Sequence, residues 1–281
     1  MKKLIVNADD FGLCPSVNKA IIECHIAGNI NSTTIMANMS GTKEAIELSK
    51  KHPNLKIGLH FCLTEGKPIS DVDSLTKHDG TFYSWNQLNK RLVTNKVKKD
   101  DIKKEFYAQY SYLVNEGVEI THFDSHQHIH MNNTLFKVCS EISNELKIPV
   151  RLVDPIINWK LLFQRPKKGI KQFLLKYLSN KHRKLLENST NNALIAVHDL
   201  NKTNNIDNFS YQLVLSKCKS LDIVELMVHP YILGEDIKTM YKDNWDEKSS
   251  FLSISNSEYH VLKEKNFIYS LAGTPPTSYE K

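Results

Sequence analysis

The residues able to do chemistry gather in four stretches. The first, Asn7-Ala8-Asp9-Asp10-Phe11-Gly12, ends a short apolar run. Neighbouring residues of a strand point to opposite faces, so Asp9 and Asp10 can serve one site only if the backbone turns there. One carboxylate could then bind a cation while the other handles a proton. The plainer reading is a turn, because Asp and Gly are turn formers. The densest stretch is Thr121–Met131, THFDSHQHIHM, with His122, Asp124, His126, His128 and His130 at every second position. If extended, all five share one face at about 7 Å spacing, a face costly to bury as ordinary core. Crowded neutral imidazoles suit a divalent ion, although the period does not say which of them are ligands. Some of them are expected to back up ligands or to line a pocket, and a polar rim without an ion is the plain alternative. The remaining two stretches are Gly58-Leu59-His60-Phe61 and Glu225-Leu226-Met227-Val228-His229-Pro230, each placing a histidine at the end of an apolar run. Taken singly, each of those histidines reads equally as a satisfied core residue or a capped strand end.

Positioning such groups requires strand ends that meet. Eight β-rich runs recur with helical segments between them: Leu4–Ala8, Ser32–Ala37, Lys56–Cys62, Glu119–Asp124, Val150–Val153, Ala193–Val197, Ile223–Val228 and Phe267–Ser270. Several are apolar without alternation, which predicts strands covered on both faces. Pro15 opens a helix that Gly28 closes, and Glu105–Val114 and Leu135–Leu146 carry apolar stripes of helical period. The expected fold is α/β, a distorted (β/α) barrel forming a single domain over residues 1–281, with a doubly wound open sheet as the alternative. Barrel chemistry collects at the C-terminal strand ends, where Asp9, Asp10, His60, His126 and His229 would meet. The connection from Thr64 to about Lys99 holds Gly66, Pro68, Gly80 and Trp85, and long loops of this kind shape pockets.

Bulk properties restrict the partners. The 281 residues carry a formal net charge of +6. Much of the excess lies in Lys90–Lys104, read as a solvated helical face, and in Lys160–Lys184, which has nine basic residues and no acid. No zinc knuckle, phosphate loop or aromatic-and-basic repeat supports nucleic-acid binding, and no apolar run reaches membrane-spanning length. The five cysteines (Cys14, Cys24, Cys62, Cys139 and Cys218) lack any paired spacing and suit reduced thiols. The expectation is a soluble cytoplasmic protein that binds neither nucleic acid nor membrane.

Taken together and in order, LIVNADDFGL at 4–13, NSTT at 31–34, GLHFCLT at 58–64, the His-rich stretch and ELMVHP at 225–230 resemble the YdjC-like carbohydrate deacetylases, the group that contains the chitooligosaccharide deacetylases. The resemblance runs to about residue 230. It implies an enzyme that removes N-acetyl groups from acetylated carbohydrates, giving acetate and an amino sugar. It also implies a divalent metal held by Asp10, His60 and His126, with Asp9 as general base, His229 as general acid, and a homodimer. Magnesium follows from the resemblance, whereas two imidazoles and a carboxylate favour zinc. The same donor set could hold iron(II) for oxygen chemistry, and a sugar-binding protein with a structural metal and stacking aromatics such as Tyr83 and Trp85 is the non-enzymatic alternative. One departure stands out: the family often places Gly after His-Pro, and this chain has Tyr231, expected to reshape that side of the pocket.

Overall fold

The computed structural model describes residues 3–157, 159–164, 166–188, 190–199, 206–218 and 220–272. Strands and helices alternate through β1 (Lys3–Phe11), α1 (Pro15–Ile26), β2 (Ser32–Ile35), α2 (Thr42–Lys51), β3 (Lys56–Phe61), α3 (Trp85–Val93), α4 (Lys99–Asn115), β4 (Ile120–Ser125) and α5 (Asn133–Leu146). They continue through α6 (Trp159–Gln164), α7 (Pro166–Arg183), β5 (Ala193–Ile195), α8 (Asn208–Ser216), β6 (Ile223–Val228), α9 (Glu235–Met240), α10 (Trp245–Leu262) and α11 (Phe267–Ala272). The strands form one parallel sheet in the order β4-β3-β2-β1-β6-β5. Parallel pairing requires a crossover after each strand and buries both faces.

The edge strands β4 and β5 are joined through residues 149–154. Phe123 N donates to Pro149 O, Arg151 N donates to Phe123 O, both at 3.0 Å, and Leu194 N donates to Asp154 O at 2.9 Å. The Asn191 side chain brackets Leu152, accepting from its N at 2.9 Å and donating to its O at 2.8 Å. The distorted (β/α) barrel is thus a curled sheet of six parallel strands closed by one irregular segment.

Two of the eight expected strands are not strands. Val150–Val153 makes only an isolated parallel bridge, Phe123 to Val150, because its neighbour on the other side is a side-chain amide rather than a ladder. Phe267–Ser270 belongs to α11: Phe267 and Ile268 are buried and Tyr269 is exposed, a short apolar run whose period does not separate strand from helix. The basic face expected over Lys90–Lys104 is divided between α3 and α4. The second basic run forms α6 and α7, with Arg165 outside the described residues. No helix among the described residues is long and apolar enough to cross a membrane.

Strand alternation sorts the side chains sharply. Outward positions such as Val6, Leu59, Phe61, Phe123 and Leu226 pack in the apolar core, where the Phe106 ring of α4 meets Phe61 and Phe123 edge-on at 5.1 and 5.0 Å. Inward positions are polar and equally buried: Asn7, Asp9, Ser32, Thr34, His60, His122, Asp124 and Glu225. Among the other inward positions, Met227 borders the cavity, and Gly58 has no side chain because the His122 ring fills its place; a Cβ there would come within 2.6 Å of His122 Nε2. That ring is held by Thr121 Oγ1 at 2.9 Å, Asn7 Oδ1 at 3.2 Å and Ser32 Oγ at 3.3 Å, so it cannot swing aside freely. Gly58→Ala should therefore destabilise the fold by about 1–3 kcal/mol through overpacking, read as a lowered urea midpoint at unchanged slope.

Candidate active site

β1 breaks where its two carboxylates lie. Asp10 has φ 68° and the pairing with β2 shifts between Ala8 and Phe11. A short polar side chain tolerates this left-handed conformation better than most. The turn meets the condition set by strand geometry, and Asp9 and Asp10 line the same cavity.

Asp10 Oδ1 lies 3.2 Å from His60 Nε2 and 2.9 Å from His126 Nδ1, and Oδ2 accepts from the Tyr231 hydroxyl at 2.5 Å. His60 Nδ1 sits 2.6 Å from Asp124 Oδ1, a carboxylate that fixes the ring. One donor atom from each of Asp10, His60 and His126 falls within 4.8 Å of the others, and His126 Nε2 is buried with no hydrogen-bond partner. Two imidazoles and a carboxylate converging in this way form a donor set suited to a divalent cation. Burial alone would lower the His60 pKa, but Asp124 and Asp10 override it and raise it to about 10. Binding of a cation through His60 would have to release that proton.

The single face expected for the whole His-rich stretch ends at Ser125. A tight turn follows, in which Gln127 and His128 both take φ 55°, and the alternation is lost. His122 and Asp124 point inward and His126 reaches Asp10. His130 folds back to Ser125 Oγ at 2.6 Å and Arg151 O at 3.0 Å. His128 borders the cavity.

His229 ends β6 with Nε2 3.9 Å from Asp9 Oδ2. Its ring is flanked edge-on by His198 and Phe251, each with centroids 5.2 Å away. Asp9, Asp10, His60, His126 and His229 all line one cavity of about 430 Å³. The sequence-predicted residues are therefore brought together, and Tyr231 reshapes this side by bonding Asp10.

Arg151, absent from the sequence-based set, sits at the centre. Its guanidinium grips Asp9 through two bonds of 2.7 Å, reaches Glu225 Oε1 at 2.6 Å and pairs with Asp124 Oδ2. Burial would raise the Asp9 pKa, yet Arg151 holds it well below the usual carboxylate range, so Asp9 stays ionised. A signal existed: Arg in the apolar run Ile148–Val153 must find buried carboxylates if that run is covered, and Glu225 inside a strand needed a cation for the same reason.

Buried neutral histidines make the fold acid-sensitive. Burial lowers His122 and His130 to about 3 and His182 to about 4. The unfolded chain protonates these rings near 6.5 while the native state does not, so stability falls as the pH drops below about 6.5. Each histidine contributes a slope of up to about 1.4 kcal/mol per pH unit until its native pKa is reached. Denaturant melts between pH 7 and 5 should show this loss, and His182→Asn should remove one proton from the uptake on unfolding.

The cavity continues past His128 and Lys171 into neighbouring cavities of about 260 and 420 Å³, the larger bordered by half-exposed Trp85. The basic segment acts in two ways here. Lys168 and Lys171 of α7 border these spaces. Lys176 and Arg183 bind Asp154 at 2.6 and 2.9 Å, and His182 stacks on Phe136 at 3.9 Å, which docks α7 on the barrel.

Comparison with known proteins agrees with this architecture. A carbohydrate deacetylase of Oceanobacillus iheyensis is 31% identical over 261 residues, covering 92% of this chain and 94% of the relative. Carbohydrate deacetylase of Brevibacillus brevis and chitooligosaccharide deacetylase of Proteus mirabilis are each 40% identical over 53% and 56% of this chain. Those matches span 58% and 61% of the two relatives' lengths, so the chain aligns with little more than half of each. The crystal structure of an Enterococcus faecalis V583 protein named for cellobiose-phosphate cleavage shares the fold, with a TM-score of 0.75 at 23% identity over 99% of this chain and 97% of that one. The model of the YdjC-like protein family matches residues 3–272, and the chain belongs to that family.

Proposed function

We propose that this protein is a metal-dependent hydrolase removing N-acetyl groups from acetylated carbohydrates such as chitooligosaccharides, releasing acetate and an amino sugar. The observation that carries the reading is the convergence of Asp10, His60 and His126 beside a separate, ionised carboxylate, Asp9, in one cavity. The names of the relatives point to the same substrate class.

Asp10, His60 and His126 would hold the ion, whose chemistry is to polarise the acetyl carbonyl and to acidify a water. Nitrogen donors favour zinc, manganese or cobalt over the magnesium that the resemblance implies. Asp124 fixes the His60 ring, and the Tyr231 hydroxyl holds Asp10 so that its other oxygen faces the two imidazoles. Asp9 takes the proton of the attacking water. Arg151 keeps Asp9 ionised and a weak base for that transfer. Burial keeps the His229 pKa below its ordinary value, so His229 begins neutral and must acquire a proton before giving one away. Its Nε2 stands 3.9 Å from Asp9 Oδ2 in the same cavity, on the side from which it would protonate the departing amine. Help of this kind contributes about 10²–10⁴-fold.

The test is acetate release from N-acetylglucosamine, chitobiose, longer oligomers and their phosphorylated forms. Activity should vanish after chelation and return with added zinc, manganese or magnesium. Undiminished turnover in metal-free protein would refute the reading. Oxygen consumption with added iron, or sugar binding without any acetate, would favour the two other classes.

A further inference from the structure

Besides the Asp10 cluster, two groups of ligating side chains bring donor atoms within 4.8 Å of one another among the described residues. One of them, Asp9, His60 and Asp124, already contains a cation, because the Arg151 guanidinium lies between the two carboxylates. The other is different. His198, His229 and Glu258 each offer one ligand atom, and these come from the turn after β5, the residue just past β6 and the C-terminal part of α10.

Glu258 is completely buried, and no lysine or arginine among the described residues pairs with it. Its contacts are His198 Nε2 at 3.0 Å, the His229 backbone N at 2.9 Å and the Tyr211 hydroxyl at 3.1 Å. His229 Nδ1 is buried and has no hydrogen-bond partner. His198 and His229 both border the central cavity, so an ion has a route in. Ligands at 2.0–2.2 Å around a tetrahedral ion stand about 3.4 Å apart. The observed spacing, 3.0 Å for one pair and within 4.8 Å for all, needs only side-chain adjustment to match. The Glu258 carboxylate is satisfied by the His229 N–H and the Tyr211 hydroxyl, whereas the buried, unpartnered His229 Nδ1 is a cost that a bound cation would relieve.

We propose that His198, His229 and Glu258 form a second divalent-cation site of the zinc class, next to the first and distinct from it. The site takes His229 as a ligand, the same side chain offered above as the proton carrier. Filling it therefore withdraws His229 from proton transfer, and excess metal inhibits the enzyme. The binding claim stands without the deacetylase reading, whereas the inhibition claim rests on it.

The test is titration of the metal-stripped full chain with cobalt(II), reading visible absorption and the bound metal by elemental analysis. Wild type should bind two ions, His126→Ala one, His198→Ala one and the double variant none. Glu258→Gln, which keeps the shape of the buried side chain, should likewise bind one, and circular dichroism checks that each variant is folded. A wild-type stoichiometry of one, or two ions retained by folded His198→Ala and Glu258→Gln, would overturn the second site. If His126→Ala still bound two ions, the first site would be at fault instead. In the acetate assay, loss of activity at high zinc should parallel occupancy of the weaker site, and inhibition without that occupancy would overturn the regulatory role.

Discussion

His126→Ala should lower acetate release by at least about 10³-fold and weaken ion binding at the Asp10 cluster. Lewis-acid stabilisation is worth several kcal/mol, and each 1.4 kcal/mol is tenfold in rate. His126 is the one histidine of the Thr121–Met131 stretch that reaches Asp10, at 2.9 Å. The effect on folding should be small by comparison, since the ring stands at the cavity wall with Nε2 unpartnered rather than in the apolar core. The informative control is His130→Ala. That ring bonds Ser125 and Arg151 O from inside the protein, so the control should lower stability more than chemistry. Equal losses of turnover with unchanged metal content in both variants would show that the His126 effect is structural.

Arg151→Met should cost about 3–5 kcal/mol of stability, a large share of the roughly 5–15 kcal/mol that holds a typical domain together. The reason is the company Arg151 keeps: removing it strands Asp9, Asp124 and Glu225, all buried, without their shared cation. Arg151→Lys separates folding from chemistry. An ammonium keeps the charge but cannot make the forked contact with Asp9, so it should recover part of the stability while turnover stays low. Denaturant melts report the first quantity and acetate release the second. A methionine variant as stable as wild type would mean that the three carboxylates take up protons at little cost.

The parts of this molecule legible in the sequence are those governed by local pattern. The runs at 4–8, 56–62 and 223–228 are apolar because parallel strands are covered outside by helices, and they fold as β1, β3 and β6. The meeting of Asp9, Asp10, His60, His126 and His229 followed from placing each at a strand end, where a barrel collects its chemistry. What was hidden depends on tertiary contacts. The φ 55° turn at Gln127 and His128 that dismisses His128 and His130 from the Asp10 cluster has no Gly or Asn-Gly to announce it. Residues 150–153 look like a strand because they are apolar, but one of their neighbours is the side chain of Asn191, which no periodicity foretells. Residues 267–270 are too short for their period to choose between strand and helix, and Asn29 Oδ1, accepting from Ile268 N at 2.7 Å, helps anchor the helical form. The contribution of α10 was unreadable for another reason: Phe251, Ser255 and Glu258 follow helical spacing, yet only the fold shows that they face the His229–Tyr231 segment.

The segment that shuts the ring between β4 and β5 also carries Arg151. The clasp of the barrel and the counterion of Asp9 are thus one piece of chain. Displacing it would take the guanidinium from Asp9 and leave burial to push the carboxyl's pKa up, which in the proposed reaction would make Asp9 a stronger base. A ligand that displaced residues 149–154 would therefore tune the base of the proposed reaction through its counterion, without touching Asp9 itself.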